Sequence, residues 1–100
     1  MIVLRRELGE VLREERQGQG RSLRDVAKAA SVSTAYLSEV ERGTKEASSE
    51  LIGSICFALG QPLSRVLGEV TSRVERAEAA TAPVPLHERR ATLSARDAAA

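Results

Sequence analysis

Thr34, Ala35, Ser38 and Glu39 fall close together on the outward side of a short predicted helix, and their chemistry suits the edges of base pairs. A hydroxyl can bond a base edge, a methyl group can meet the thymine methyl, and a carboxylate can accept from cytosine N4 while phosphate repels it. Glu39 is therefore the expected specificity residue; its alternative roles are a solvated helix carboxylate or a partner for a neighbouring Arg. Arg24, Lys28, Arg42 and Lys45 lie on or beside the same side and suit phosphate oxygens, with a solvated mixed-charge surface as the alternative. Tyr36 is expected to pack its ring between helices and to leave its hydroxyl free for a phosphate. Catalytic chemistry has much less to draw on. His87 is the single histidine and Cys56 the single cysteine, so a His-assisted nucleophile, a disulfide and a multi-ligand zinc site all lack their parts. Cys56 reads as a packed core thiol. No catalytic residue, metal ligand or cofactor is expected.

The elements that must hold these side chains have local causes. Ser22 is a natural N-cap, and Asp25 three residues on places a carboxylate in the first turn, so a helix should begin at Leu23. Leu23, Val26, Ala27 and Ala30 then form one buried stripe at helical spacing. Ala27 is small enough to let a second helix cross closely. Ser31-Val32-Ser33 supplies the turn, Ser33 caps a helix from Thr34 to Arg42 whose inward edge is Leu37 and Val40, and Gly43 suits the left-handed position that ends helices. The stretch from Ser22 to Gly43 thus reads as a helix-turn-helix, a device for placing a few side chains in the DNA major groove.

Around it, residues 2 to 17 form a first helix on Leu4, Leu8, Val11 and Leu12, and Glu7, Glu10, Glu14 and Glu15 mark it as the face distant from DNA. Ser48 caps a fourth helix with Leu51, Ile52, Ile55, Cys56 and Leu59 on its apolar side. Gly60 and Pro62 separate it from a fifth, in which Leu63, Val66 and Leu67 pack back. The pattern continues through Leu67, Val70, Val74 and Ala77 at seam spacing. This stripe either packs on its own domain or, as the expected arrangement, forms the dimer contact. From Thr81 two prolines and the loss of periodicity predict a disordered tail. The divisions are residues 1–68 for the DNA-binding domain, 69–80 for a dimerising extension and 81–100 for the tail. Fifteen Lys and Arg against fourteen Asp and Glu give a net charge of +1, so affinity for DNA must come from local arrangement rather than overall charge. No stretch has the length of a membrane span and no signal-peptide core is seen, so a cytoplasmic protein is expected.

The segment Val32-Ser33-x-x-Tyr36-Leu37-Ser38-x-Val40-Glu41-x-Gly43 resembles the Cro/C1-type, or XRE-type, helix-turn-helix regulators. The resemblance covers about residues 5 to 68 and implies an all-α, five-helix, lambda-repressor-like domain, here with a C-terminal helical extension and the tail. It also implies an ion pair between Arg16 of the first helix and Glu41. Two departures are Leu23, where the family often has a phosphate-touching Gln, and Ser31, where a turn Gly is usual. Ser31 must then adopt a left-handed backbone at modest cost.

Leu4-Arg5-Arg6, the run Tyr36 to Gly43 and the run Lys45 to Leu51 are closer still to actinobacterial regulators of Clp-protease genes. This resemblance implies an activator of genes for ATP-dependent proteolysis; the stripe on the last helix adds the expectation of a homodimer on an inverted repeat of double-stranded DNA, and RNA polymerase is a further expected partner. The end Ala98-Ala99-Ala100 resembles the tags that bacterial ATP-dependent proteases recognise, so a contact with the Clp protease is expected there; a frayed Ala-rich end is the alternative. Two other functions remain open on the same fold, a protein-interaction module and an antitoxin-like repressor.

Overall fold

The computed structural model describes residues 2–81, and within them the chain is entirely helical in its regular structure. In chain order the helices are α1 (Leu4–Gly18), α2 (Leu23–Ala29), α3 (Thr34–Arg42), α4 (Ser49–Ala58) and α5 (Leu63–Thr81). The expected disorder of the tail, His87 and Ala98-Ala99-Ala100 lie outside the described residues.

Three serines begin three helices by the same chemistry. Ser22 Oγ accepts from the Asp25 N–H at 3.0 Å, Ser33 Oγ from Tyr36 at 3.0 Å and Ser48 Oγ from Leu51 at 3.2 Å. Each satisfies a first-turn donor that the helix leaves without an internal partner. α3 ends at Gly43, whose φ of 75° lets the Gly43 and Thr44 N–H groups turn back onto the Val40 and Glu39 carbonyls. In the α2–α3 turn, Ser31 takes the left-handed conformation, φ 59°. The sequence places a side chain there where glycine would be unstrained, and the fold accepts the cost.

Leu12, Val26, Leu37, Ile55, Cys56 and Val66 are the largest fully buried side chains, so every helix contributes to one core. Leu4 does not join it and is 63% exposed. α1 and α5 pack together in opposite directions, as the ion pairs between them require: Arg65 meets Glu15 at 3.0 Å, while Arg73 reaches Glu14 at 2.6 Å and Glu10 at 3.4 Å. The carboxylates expected to face away from DNA are thus largely engaged by α5. Hydrogen bonding to Glu14 is the main cause that raises the Arg73 guanidinium above its ordinary value.

α5 runs without a break across the expected division at residue 68. Its inward stripe is Val66, Val70 and Val74. Val70 is only 5% exposed and belongs to the core, and Val74 packs against that core. The expected dimer stripe is therefore corrected at Val70 and Val74, which pack on the core of the same chain, with α1 as the main neighbour of α5. Leu67, expected to pack back, is 48% exposed, and Leu63 is 44% exposed. Leu63 and Leu67, seven and three residues before Val70, border the same stripe of α5, and Phe57 at the end of α4 is 86% exposed.

Candidate nucleic-acid interface

α3 is held at its two ends by different means. At its start, Ala27 and Val26 of α2 are buried almost completely, so the α2 backbone can come close and α2 and α3 cross without a bulky spacer. At its end, α1 makes an unusually close approach. A Cβ at Gly9 would lie 2.5 Å from the Glu41 carbonyl oxygen and closer still to that of Val40. A Cβ at Gly43 would meet the Arg6 side chain and backbone, and Arg5 Nε donates to the Gly43 carbonyl at 2.9 Å. Sequence reasoning misses Gly9, which shows there only as a poor helix former inside an otherwise regular pattern.

Arg16 and Glu41 lock this arrangement, as the family resemblance implies. Arg16 Nε and Nη2 donate to the two Glu41 carboxylate oxygens at 2.8 and 3.0 Å, and Nη1 donates to the Arg21 carbonyl at 2.9 Å. The side chains retain 13% and 6% exposure. The hydrogen bonds to Glu41 raise the Arg16 guanidinium above its ordinary value against the opposing effect of burial. Two parallel bonds between planar groups fix angle as well as distance, so the pair sets how α3 stands on α1. Arg21 extends the bracing by donating to the Ala58 carbonyl at the end of α4, and Gln19 donates to the Leu59 carbonyl at 2.7 Å.

With its inner edge fixed, α3 presents Thr34, Ala35 and Arg42 as exposed residues and Ser38 and Glu39 as half-buried ones. Thr34 and Ala35 stand at the helix start, free to approach a groove floor. Ser38 Oγ accepts from Arg42 Nη1, which aligns the guanidinium along the helix. Glu39 pairs with Lys45 at 3.4 Å, so the expected base reader and one expected phosphate binder hold each other in the free protein. The alternative of Glu39 as an ion-pair partner is realised in part, with Lys45 rather than an Arg. Lys45 is exposed and Glu39 half-buried at the surface, and ion pairs of this kind contribute little enough for DNA to exchange them.

Tyr36 packs against the core as expected, but its hydroxyl donates to the Glu46 carbonyl at 3.1 Å. This corrects the expectation of a free hydroxyl: the proton is spent on the loop after α3, because the ring's position brings its tip to that backbone. Arg24 and Lys28 on α2 are exposed, with no ion-pair partner among the described residues. Cys56 is buried, and burial pushes its thiol up, away from the reactive thiolate. Among the described residues no group of His, Cys, Asp or Glu could hold a metal ion, and no single helix is long and apolar enough to cross a membrane.

Comparison with known proteins agrees with this geometry. Residues 7–67 match the family described as a helix-turn-helix domain. The transcriptional regulator ClgR of Mycobacterium tuberculosis (strain ATCC 25618 / H37Rv) is 54% identical over 82 residues, spanning 79% of this chain and 73% of the relative. A crystal structure of the clp gene regulator ClgR from C. glutamicum superposes with a TM-score of 0.70 at 48% identity, covering 73% of this chain and 95% of that one. The restriction-modification controller protein C.AhdI from Aeromonas hydrophila gives a TM-score of 0.61 at 27% identity, over 62% of this chain and 94% of its own. A braced α3 with an exposed polar side, carried on this five-helix frame and shared with these relatives, places the chain in the XRE-type helix-turn-helix family, among the ClgR transcriptional regulators.

Proposed function

We propose that the chain binds an inverted-repeat operator as a homodimer and activates genes for ATP-dependent Clp proteolysis. The observation that carries the reading is the exposed start of α3, Thr34 and Ala35, on a helix whose opposite side is fixed by Arg16 and Glu41. Thr34, Ala35, Ser38 and Glu39 read bases; Arg24, Lys28, Arg42 and Lys45 hold phosphates, and Tyr36 contributes through position rather than through a free proton. The link to Clp genes rests on the identity to ClgR. RNA polymerase is the partner through which an activator would act, the Clp protease would meet Ala98-Ala99-Ala100, and both contacts belong to the cytoplasm.

The second copy would dock on the α4–α5 side, where Phe57, Leu63 and Leu67 are exposed. Three large apolar side chains on consecutive helices are costly to leave in water, and a chain of this size gains stability from sharing them. Two copies joined there would present their α3 helices to half-sites about 34 to 36 Å apart. The test is selection of bound fragments from random duplex DNA by the full chain. An enriched inverted repeat with strongly salt-dependent affinity is expected. No enrichment, with binding indifferent to salt, would refute the proposal and favour a protein-interaction module.

A further inference from the structure

A cleft opens between α1, the start of α2 and the second half of α3, lined by Arg13, Arg16, Leu23, Ser38, Glu41 and Arg42. We propose that it seats one phosphate of the DNA backbone, gripped by Arg13 and Arg42, with Arg13 as a binding residue additional to those above. The inference rests on the reading of the chain as a DNA-binding protein.

The balance of charge in the cleft supports an anion. Three of the five N–H donors of Arg16 are engaged, two by Glu41 and one by the Arg21 carbonyl, and both Glu41 oxygens accept in return. That pair contributes no net charge. Arg42 is held by the neutral Ser38 hydroxyl, which leaves its charge uncompensated and its direction fixed. Arg13 is the more telling residue. Its helical neighbours Glu10 and Glu14 are the obvious carboxylates to neutralise it, yet both are engaged by Arg73 of α5. Arg13 is exposed and has no ion-pair partner among the described residues. Arg13 shares the α1 surface with Glu10 and Glu14, but the pairing of both with Arg73 leaves it the cation of this turn without an ion pair among the described residues.

Leu23 gives the reason for two arms. At the start of α2, beside the reading helix, a polar side chain could hold a phosphate directly, whereas Leu23 offers no donor. Arg13 and Arg42 approach the same space from α1 and α3, and guanidinium groups bind phosphate oxygens through paired charge-assisted bonds. The backbone strand is the favoured source of the phosphate because Ser38 and Arg42 belong to α3 itself, so a groove that receives α3 brings its flanking strand to this cleft.

The test compares the full chain with Arg13→Ala and Arg13→Lys, using a duplex enriched by the wild type from random DNA and measuring affinity across salt. Removing one phosphate neutralisation per subunit lowers the slope of log K against log salt by ~0.9, or ~1.8 for a dimer. Between about 50 and 200 mM salt the wild type should then lose roughly 12-fold more affinity than Arg13→Ala. Base preference and melting temperature should not change, and Arg13→Lys should keep the wild-type slope. An Arg13→Ala slope equal to wild type would overturn the inference, as would an altered base preference. So would saturable binding of inorganic phosphate that needs Arg13 while the DNA slope stays unchanged, since the cleft would then serve a free anion. Failure of the wild type to enrich any duplex would instead sink the DNA-binding reading itself.

Discussion

Replacing Glu41 by Ala tests whether the residue braces α3 or touches DNA. The substitution removes two charge-assisted hydrogen bonds, at 2.8 and 3.0 Å, and leaves the Arg16 guanidinium 13% exposed with only the Arg21 carbonyl as partner. Breaking a fully buried pair costs ~3 to 5 kcal/mol. Arg16 borders the cleft and can draw water to its freed nitrogens, so the expected loss lies at the lower end, about 3 kcal/mol. A domain of this size has roughly 4 to 12 kcal/mol to lose, and about 3 kcal/mol lowers its melting temperature by ~12 to 24 °C. Thermal unfolding followed by helical circular dichroism reads this directly. Operator binding measured well below the new midpoint should recover most of its affinity, because the side chains proposed to meet DNA are all still in place. The double variant Arg16→Met with Glu41→Leu, which leaves no charge unpaired, should be more stable than Glu41→Ala alone. A Glu41→Ala protein that melts like wild type yet fails to bind operator at any temperature would refute the bracing role and make Glu41 a DNA-touching residue.

Other outcomes follow from single features of the structure. Glu39→Ala should relax base preference at one position per half-site while fold and dimer persist, read by repeating the selection; an unchanged preference removes Glu39 from the readout. Phe57→Ser combined with Leu67→Asp should give folded monomers with weak operator binding, whereas an unchanged sedimentation coefficient would place the dimer interface elsewhere. Gly9→Ala should destabilise by about 2 kcal/mol or more, since overpacking against the α3 backbone outweighs the ~1 kcal/mol gain in helix propensity; Gly68→Ala, with open space around it, should show that gain alone. Burial raises the Cys56 thiol, so its contribution to stability is full below the ordinary thiol value of 9.0 and falls as pH rises above it. In denaturant titrations Cys56→Ala should lack this alkaline component, and a profile identical to wild type would refute it.

Local signals in the sequence are reliable where one residue's chemistry decides the backbone. Ser22, Ser33 and Ser48 cap because a short hydroxyl reaches a free N–H, and Gly43 and Ser31 turn left-handed because the chain must reverse there. The bounds of α3 and the exposure of Thr34 and Ala35 are legible for that reason, and the Arg16–Glu41 pair through family resemblance. Spacing alone does not reveal which surface covers a stripe. Leu67, Val70, Val74 and Ala77 have a seam's periodicity whether the cover is a second subunit or α1, and only the direction of α5 along α1 decides it.

The same limit explains the charges. Along the sequence, Glu10, Arg13 and Glu14 read as a mixed, mutually screened surface, and the net charge of +1 offers little to a polyanion. Folding sorts them, because Arg73 lies too far along the chain for any local pattern to couple it to Glu10 and Glu14, yet it takes both. Arg73 is half-buried but both carboxylates are exposed, so the pairs themselves contribute little to stability. Their consequence is electrostatic: one guanidinium shared by two carboxylates offsets part of the negative charge that would otherwise act on Arg13. A near-neutral chain can therefore present a locally basic surface without adding basic residues. Arg73→Ala should then weaken operator binding from the far side of α1, with the melting temperature nearly unchanged. Operator affinity equal to wild type at low salt would show that the freed carboxylates do not reach Arg13 and that this long-range arrangement has no part in binding.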